Sequence, residues 1–157
     1  MSDIVATLVL LRREDEILLA MKKRGFGKGY WNGPGGKVEQ GESLEACMIR
    51  ECQEEIGVTP TRFYKVAEHN FLLDATTQPW HIYGHVYLCE EWQGEPHETE
   101  EMAPRWFKTN EIPYDTMWQD DIYWLPLVLS GTLLKTRFAF DTQNNLLSRK
   151  VEEVEKL

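Results

Sequence analysis

The stretch from Gly36 to Val58, GKVEQGESLEACMIRECQEEIGV, constrains the chain more than any other part of it. Its acidic residues recur at spacings that only a helix brings together. Ser43 suits the cap of a helix beginning at Leu44, Glu45 places a negative charge in the first turn, and Gly57 supplies a left-handed C-terminal cap. The spacing therefore predicts a helix over 44–56. At about 100° per residue, Glu51, Glu54 and Glu55 fall on one arc, with Leu44, Met48, Cys52 and Ile56 as an adjoining apolar stripe. Three carboxylates share one face.

Like charges at i, i+3 and i+4 repel, so a bare cluster costs helix stability and pushes carboxyl pKa values upward. A hard divalent cation removes the conflict. Oxygen ligands around a partly hydrated octahedral ion, completed by substrate phosphates, are what Mg2+ or Mn2+ prefers. Arg50, four residues before Glu54, is placed to pair with it and steer it. The plainer reading is a solvated acidic face, the usual fate of a charge run. The preceding loop argues against it: Gly33, Pro34, Gly35 and Gly36 lead through Lys37 to Gly41, letting backbone groups turn sharply and approach a metal or phosphate.

Together these residues resemble the Nudix box, Gx5Ex7REUxEExGU, in which U is a bulky aliphatic. Gly36, Glu42, Arg50, Glu51, Glu54, Glu55 and Gly57 fill its fixed positions, and Cys52 stands where the box prefers Leu or Val. Cysteine behaves as a small buried hydrophobe, so the departure touches packing rather than chemistry. A chance match in a chain of this length is on the order of 10^-7 to 10^-6. The resemblance implies an α/β/α sandwich and a Mg2+-dependent pyrophosphohydrolase.

A chain of 157 residues, 42% apolar and 27% charged, suits one domain over 1–157 with a real core. The net charge of −9 disfavours a nucleic-acid polymer, whose affinity rests on neutralising phosphates. A small nucleotide remains compatible, because Lys22, Lys23, Arg24, Lys28 and Lys37 crowd the approach to the box. Cys47, Cys52 and Cys89 are odd in number and lack paired spacing, which argues against disulfides and structural zinc. The apolar run Ile4 to Leu11 is too short to span a bilayer. A cytoplasmic monomer without membrane association is the expectation.

Ile4–Leu11 and Ile17–Met21 read as strands of a hairpin turning at Arg12–Glu16. The Gly-rich connection 22–35 carries Phe26, Tyr30, Trp31 and Asn32, more aromatic than a linker, and is a candidate binding surface. Phe63–Leu73 and Ile82–Cys89 read as strands joined by a polar turn at Asp74–Gln78, then Pro79. Glu90–Glu101 reads as an acidic loop and Arg105–Lys108 as a short strand. Asp115–Leu134 has helical character, with Trp118, Ile122, Leu125 and Leu129 as its stripe and Pro126 as a point of bending. Lys135–Phe140 and Leu146–Val151 read as a last hairpin. Strands and two helices without a strict βαβ rhythm predict an α+β chain with a mixed sheet between helices.

Outside the box, MKKRGFGKGYWNGPGGK at 21–37, EMAPRWF at 101–107 and IPYDTMWQDDIYWLPL at 112–127 resemble the animal homologues of MutT, a family of oxidised purine nucleoside triphosphatases. The likeness implies that the Gly35 carbonyl, Glu51, Glu54, Glu55 and Glu101 hold metal, with Arg50 beside them. It places Asn32, Trp118, Asp120 and Asp121 in a base pocket lined by Thr7, Lys22 and Phe26. Pro34, Gly35, Gly36, Lys37 and Gln119 complete the expected substrate-contacting set. Pro34 stands where the animal enzymes carry an aromatic. The chemistry is consistent: oxidised guanine exchanges the N7 acceptor for a donor while O6 remains an acceptor. Two neighbouring aspartates sharing a proton would accept from one and donate to the other, with Asn32 on the rest of the edge and Trp118 on the face.

Each residue also has a plain reading. Asp120 or Asp121 alone reads as a helix cap or first-turn acid, Trp118 as core, Asn32 as a turn residue, Glu101 as part of a solvated acidic loop and Lys22 as an exposed strand-end charge. Other Nudix substrates (a dinucleoside polyphosphate, a nucleotide sugar, a capped RNA end) and a catalytically silent nucleotide-binding module are the competing functions.

Overall fold

A computed structural model describes residues 2–73 and 80–157; the polar turn expected at 74–79 lies outside the described residues. The elements run β1 (Ser2–Arg13), β2 (Glu16–Lys22), β3 (Trp31–Asn32), β4 (Gly35–Lys37), α1 (Leu44–Ile56), β5 (Thr59–Leu73), β6 (Trp80–Gln93), β7 (Met102–Lys108), a 3-10 turn at Tyr114–Thr116, α2 (Asp121–Leu129), β8 (Leu133–Phe140) and β9 (Leu146–Val154). The main sheet runs β3-β2-β1-β6-β5-β8-β9, with β4 on β1 and β7 on β2. It is mixed: β1 is parallel to β6, and β5 to β8, while the other pairings are antiparallel.

Strand alternation sorts the side chains into two layers. From β1 and β2, Val9, Leu11, Leu18 and Ala20 turn to one face and pack with Met48, Cys52 and Ile56 of α1. Leu10, Ile17 and Leu19 turn to the other, where they join Trp124, Leu125 and Val128 of α2 and Phe138 and Phe140 of β8. The sheet is therefore covered by a helix on each side, the expected α/β/α layering.

Helix α1 has the boundaries its caps dictate: Ser43 Oγ accepts from the Ala46 amide, and Gly57 takes a left-handed φ of 75°. Four expectations need correction. The β1–β2 hairpin pairs only at Arg12↔Ile17 and Arg13↔Glu16, because the length of β1 is spent on β6 and β4. Strands β5 and β6 run further than read, to Thr59 and Gln93, so the acidic loop begins at Gly94. The strand read at Arg105–Lys108 begins at Met102, since the whole of β7 finds partners on β2. The second helix is 121–129, not 115–134. Its buried residues are Asp121, Trp124, Leu125 and Val128, whereas Ile122 of the expected stripe is 51% exposed.

Candidate active site

Arg50 organises the acidic face of α1. Its Nε and Nη2 donate to the two oxygens of Glu42 at 2.7 and 2.9 Å, a bidentate geometry of the strong kind. Nη1 donates to Glu51 at 2.9 Å and to Glu54 at 3.4 Å, and Nη2 reaches the Lys37 carbonyl at 3.3 Å. These hydrogen bonds, helped by the Glu39 amide, hold the Glu42 carboxyl down at about 2. The sequence pointed to Glu54 as the Arg50 partner. In the structure Glu54 takes the longest of the carboxylate hydrogen bonds and remains the most exposed of the three helix acids.

Glu55 is different, being 3% exposed. Its Oε1 accepts from the Gly35 amide at 3.0 Å, and its Oε2 lies 3.9 Å from Lys22 Nζ. Burial drives its pKa up to about 8; the Gly35 amide and Lys22 pull it down, and neighbouring Glu51 pushes it up. Lys22 also lies 3.8 Å from Glu101, which is hydrogen-bonded to Arg24. That hydrogen bond is the chief reason the Glu101 carboxyl lies below its ordinary range. Thr99, which the sequence did not single out, donates to the Glu55 carbonyl at 2.7 Å and accepts from the Glu101 and Met102 amides, tying the Glu101 loop to the end of α1.

Lys22, Arg24, Glu51, Glu54, Glu55 and Glu101 thus line one cleft of ≈ 450 Å³. Strand β4 closes on it because Gly35 and Gly36 have no side chains: a Cβ on Gly36 would lie 2.5 Å from the Glu51 carboxyl carbon. Among the described residues, no three acidic, His or Cys side chains converge as a ready-made metal centre. Each carboxylate is instead turned to a basic or amide partner.

The second group of expected residues gathers at the start of α2. Asp120 and Asp121 are 2% and 4% exposed. By position they follow the plain reading, Asp120 at the N-cap and Asp121 as the acid of the first turn, but Asp120 has a helical backbone and its side chain makes no capping hydrogen bond. Their shared partner is the Trp124 indole, which donates to Asp120 Oδ2 at 2.8 Å and to Asp121 Oδ1 at 3.2 Å. Asp121 Oδ2 is buried with no partner among the described residues. Burial raises both carboxyls, Asp120 to about 6 and Asp121 well above its ordinary value, with the charge of Asp120 adding to the second. A carboxyl pair so placed holds a proton near neutral pH. Trp124 sits at i+4 and i+3 from the two acids, a spacing that could have flagged it.

Trp118 stands beside the pair in sequence and meets Phe26, Tyr30 and Phe140 at centroid distances of 5.3, 4.9 and 5.8 Å. Two of these partners come from the 22–30 turn, whose other end carries Lys22 and Arg24 into the carboxylate cleft. The remaining expected residues are more scattered. Asn32 lies in strand β3 opposite Ala20, not in a turn, and its side-chain oxygen accepts from the Gly33 amide; Pro34 is buried and its carbonyl accepts from Val9; Lys37 is exposed. The Thr7 hydroxyl is 3.4 Å from Cys47 Sγ, facing α1 rather than α2. Gln119 is exposed and clasps the β8–β9 turn through Asn145 and the Leu146 amide. A larger hollow of ≈ 620 Å³, lined by Tyr30, Trp118, Gln119, Tyr123, Leu147 and Arg149 among others, holds none of the cleft's carboxylates.

Residues 1–128 match the model of the NUDIX domain. The chain belongs to the Nudix family. Among Nudix relatives, it is 40% identical to an oxidized purine nucleoside triphosphate hydrolase of Danio rerio over 151 residues, covering 96% of both chains. A protein of the same name from Mus musculus is 40% identical over 149 residues, 95% of this chain and 94% of that one. Among solved structures, a MutT protein from Bacillus halodurans superposes with a TM-score of 0.81 at 26% identity, covering 95% of this chain and 97% of the other. The mixed sheet between two helices is therefore a Nudix fold.

Proposed function

We propose that the protein hydrolyses oxidised purine nucleoside triphosphates to the monophosphate and pyrophosphate, and so clears damaged nucleotides from the pool. The observation that carries this reading is the Asp120–Asp121 pair, nearly devoid of solvent, not spent on capping, and raised toward neutrality. One ionised and one protonated carboxyl present an acceptor beside a donor. Oxidised guanine presents the complement, an N7 hydrogen beside the O6 acceptor. Ordinary guanine presents two acceptors, and the mismatch costs about 1–3 kcal/mol for each polar group left buried and unpaired. Relatives 40% identical over nearly the whole chain are named for this activity.

The other half of the reaction belongs to the cleft. Its donors are hard oxygens, and Gly36 lets the backbone lie against the Glu51 carboxylate where a Cβ would clash, a set that suits a divalent cation, with Mg2+ first and Mn2+ second. The Gly35 carbonyl, Glu51, Glu54, Glu55 and Glu101 would hold it. When bound, such an ion neutralises charge on the phosphate chain and acidifies a water. Glu55 is the better candidate for the base, because it is buried beside the proposed metal ligands and the Gly35 amide fixes one of its oxygens. Glu101, lowered by Arg24, is the weaker base. Lys22 and Arg24 supply positive charge facing the phosphates.

The reading extends to one domain acting as a monomer in the cytoplasm. The net charge of −9 favours a small nucleotide over a polymer, and no described helix is long and apolar enough to cross a membrane. The test is kcat/KM with Mg2+ for 8-oxo-dGTP, 2-oxo-dATP and dGTP, in wild type and Asp120→Asn. The expected result is a clear preference for the oxidised nucleotides that Asp120→Asn removes or redirects, with the thermal midpoint little changed. Equal turnover of dGTP, or a variant with unaltered selectivity, would overturn the reading and turn attention to other Nudix substrates.

A further inference from the structure

His69 lies in the middle of β5, 2% exposed, on the sheet face that meets α2. It is a costly residue for packing alone. Its Nε2 is buried without a hydrogen-bond partner among the described residues, and burial drives the ring's pKa down to about 3, so the imidazole is neutral. Three aromatic rings enclose it: Phe71 at 5.1 Å, Phe138 at 5.8 Å and, closest, Trp124 at 4.4 Å edge-on. What the imidazole has that an aliphatic side chain lacks is a tether, since Nδ1 is 2.5 Å from the Thr136 hydroxyl across the parallel β5–β8 pairing.

The tether bears on the carboxyl pair because of how little holds that pair. Trp124 offers one N–H to two carboxylates, at 2.8 and 3.2 Å. A donor shared so unequally moves its allegiance with a displacement of a few tenths of an ångström, and hydrogen-bond strength falls steeply over that range. The indole is seated on the His69 ring, and that ring is pinned by Thr136. Resting on the function proposed above, we propose that His69 and Thr136 are specificity-determining positioning residues: by fixing the Trp124 ring they fix which aspartate receives its N–H, and hence which purine edge the pair accepts. Neither residue touches the reacting phosphates, so their influence falls on substrate discrimination and not on the chemical step.

Thr136→Val tests this, because it removes the hydroxyl while keeping the β-branched shape; Thr136→Ser keeps the hydroxyl. We expect Thr136→Val to lower the ratio of kcat/KM for 8-oxo-dGTP over dGTP by about fivefold, the effect of one ordinary hydrogen bond. The change should sit in KM, leave kcat within about twofold, shift the Trp124 indole N–H resonance in an NMR spectrum, and be restored in Thr136→Ser. A filler of the core would instead change the thermal midpoint and leave ratio and resonance alone. If Thr136→Val does not fold, Thr136→Ala and His69→Leu are read the same way. A wild-type ratio near one overturns the proposed function and this inference together. A strong wild-type preference that survives intact in the variants overturns this inference alone.

Discussion

The Gly35 amide donates to Glu55 Oε1 at 3.0 Å, joining strand β4 to the last turn of α1 across 20 residues. The two glycines at this junction are confined by different neighbours. A Cβ on Gly35 would lie 1.9 Å from the Thr7 carbonyl oxygen, which is strand backbone and cannot yield; on Gly36 it would meet the Glu51 carboxylate, the mobile end of a side chain. Gly35→Ala is therefore expected to cost about 3 kcal/mol or more of stability, at the upper end of overpacking effects. Gly36→Ala should leave the thermal midpoint nearly unchanged while turnover collapses. Thermal melts beside Mg2+-dependent turnover separate the two outcomes, and equal effects would refute the distinction.

Among the described residues, the Glu54 side chain makes one hydrogen bond, at 3.4 Å from Arg50, and stays largely in solvent. Its removal should matter little to folding, within about 0.5 kcal/mol. As a proposed metal ligand it should matter greatly to activity. Glu54→Gln is expected to lose at least about a hundredfold in kcat while remaining folded, a loss of the size seen when one electrostatic stabiliser is removed. Near wild-type turnover in saturating Mg2+ would remove Glu54 from the ligand set.

Arg50 is the only described partner that binds Glu42, Glu51 and Glu54 at once. A lysine keeps the charge but not the planar fork, so Arg50→Lys is expected to behave as a substantial loss. The expected cost is roughly 1–2 kcal/mol of stability in denaturant unfolding, because Glu42 and Glu51 are largely screened from water. Turnover should fall as well. Arg50→Lys indistinguishable from wild type in both would show that the fork is dispensable.

Buried acids give the metal-free protein a pH signature. Asp120 and Asp121 titrate higher in the fold than their ordinary value of 3.8. Their contribution to stability is therefore complete below that value and is lost as pH rises through about 6 and beyond. His69 acts with the opposite sign: its folded pKa is depressed to about 3 from 6.5, so its contribution is present above 6.5 and lost as pH falls toward 3. The difference in unfolding free energy between wild type and Asp121→Asn cancels the histidine. It should move in favour of the variant as pH rises from 4 to 7. A difference independent of pH would mean that the pair is ionised in the fold.

Much of the chemistry-bearing half could be read from the chain. Cap, period and C-terminal glycine agree for α1, and the helix obeys all three to the residue. The start of α2 resisted reading because its inward face is carried by Asp121 as well as Trp124. A carboxylate counts as polar in any periodicity, so the apolar stripe pointed through Ile122, which lies in solvent. Strand ends failed for another reason: Thr59–Arg62 and Glu90–Gln93 have little strand character of their own and are extended because each finds the other across the ladder, with register shifts where they meet. The tether from Thr136 through His69 to Trp124 joins three separate elements, and no spacing along the chain announces it.

The turn from Lys22 to Tyr30 touches Glu101 at one end and Trp118 at the other. If phosphates are cleaved at the carboxylates and the base rests on Trp118, this turn is a ruler. It is a short one, nine residues closed by the Gly29 amide on the Lys22 carbonyl and the Tyr30 amide on the Gly27 carbonyl. Its two ends are neighbours, because the Lys22 amide donates to the Tyr30 carbonyl beside the β2–β3 pairing, so this paired root fixes how far a base lies from the bond that breaks. A substrate is then measured before it is read, and residues added at the tip of this turn should leave unchanged which phosphate linkage is cut.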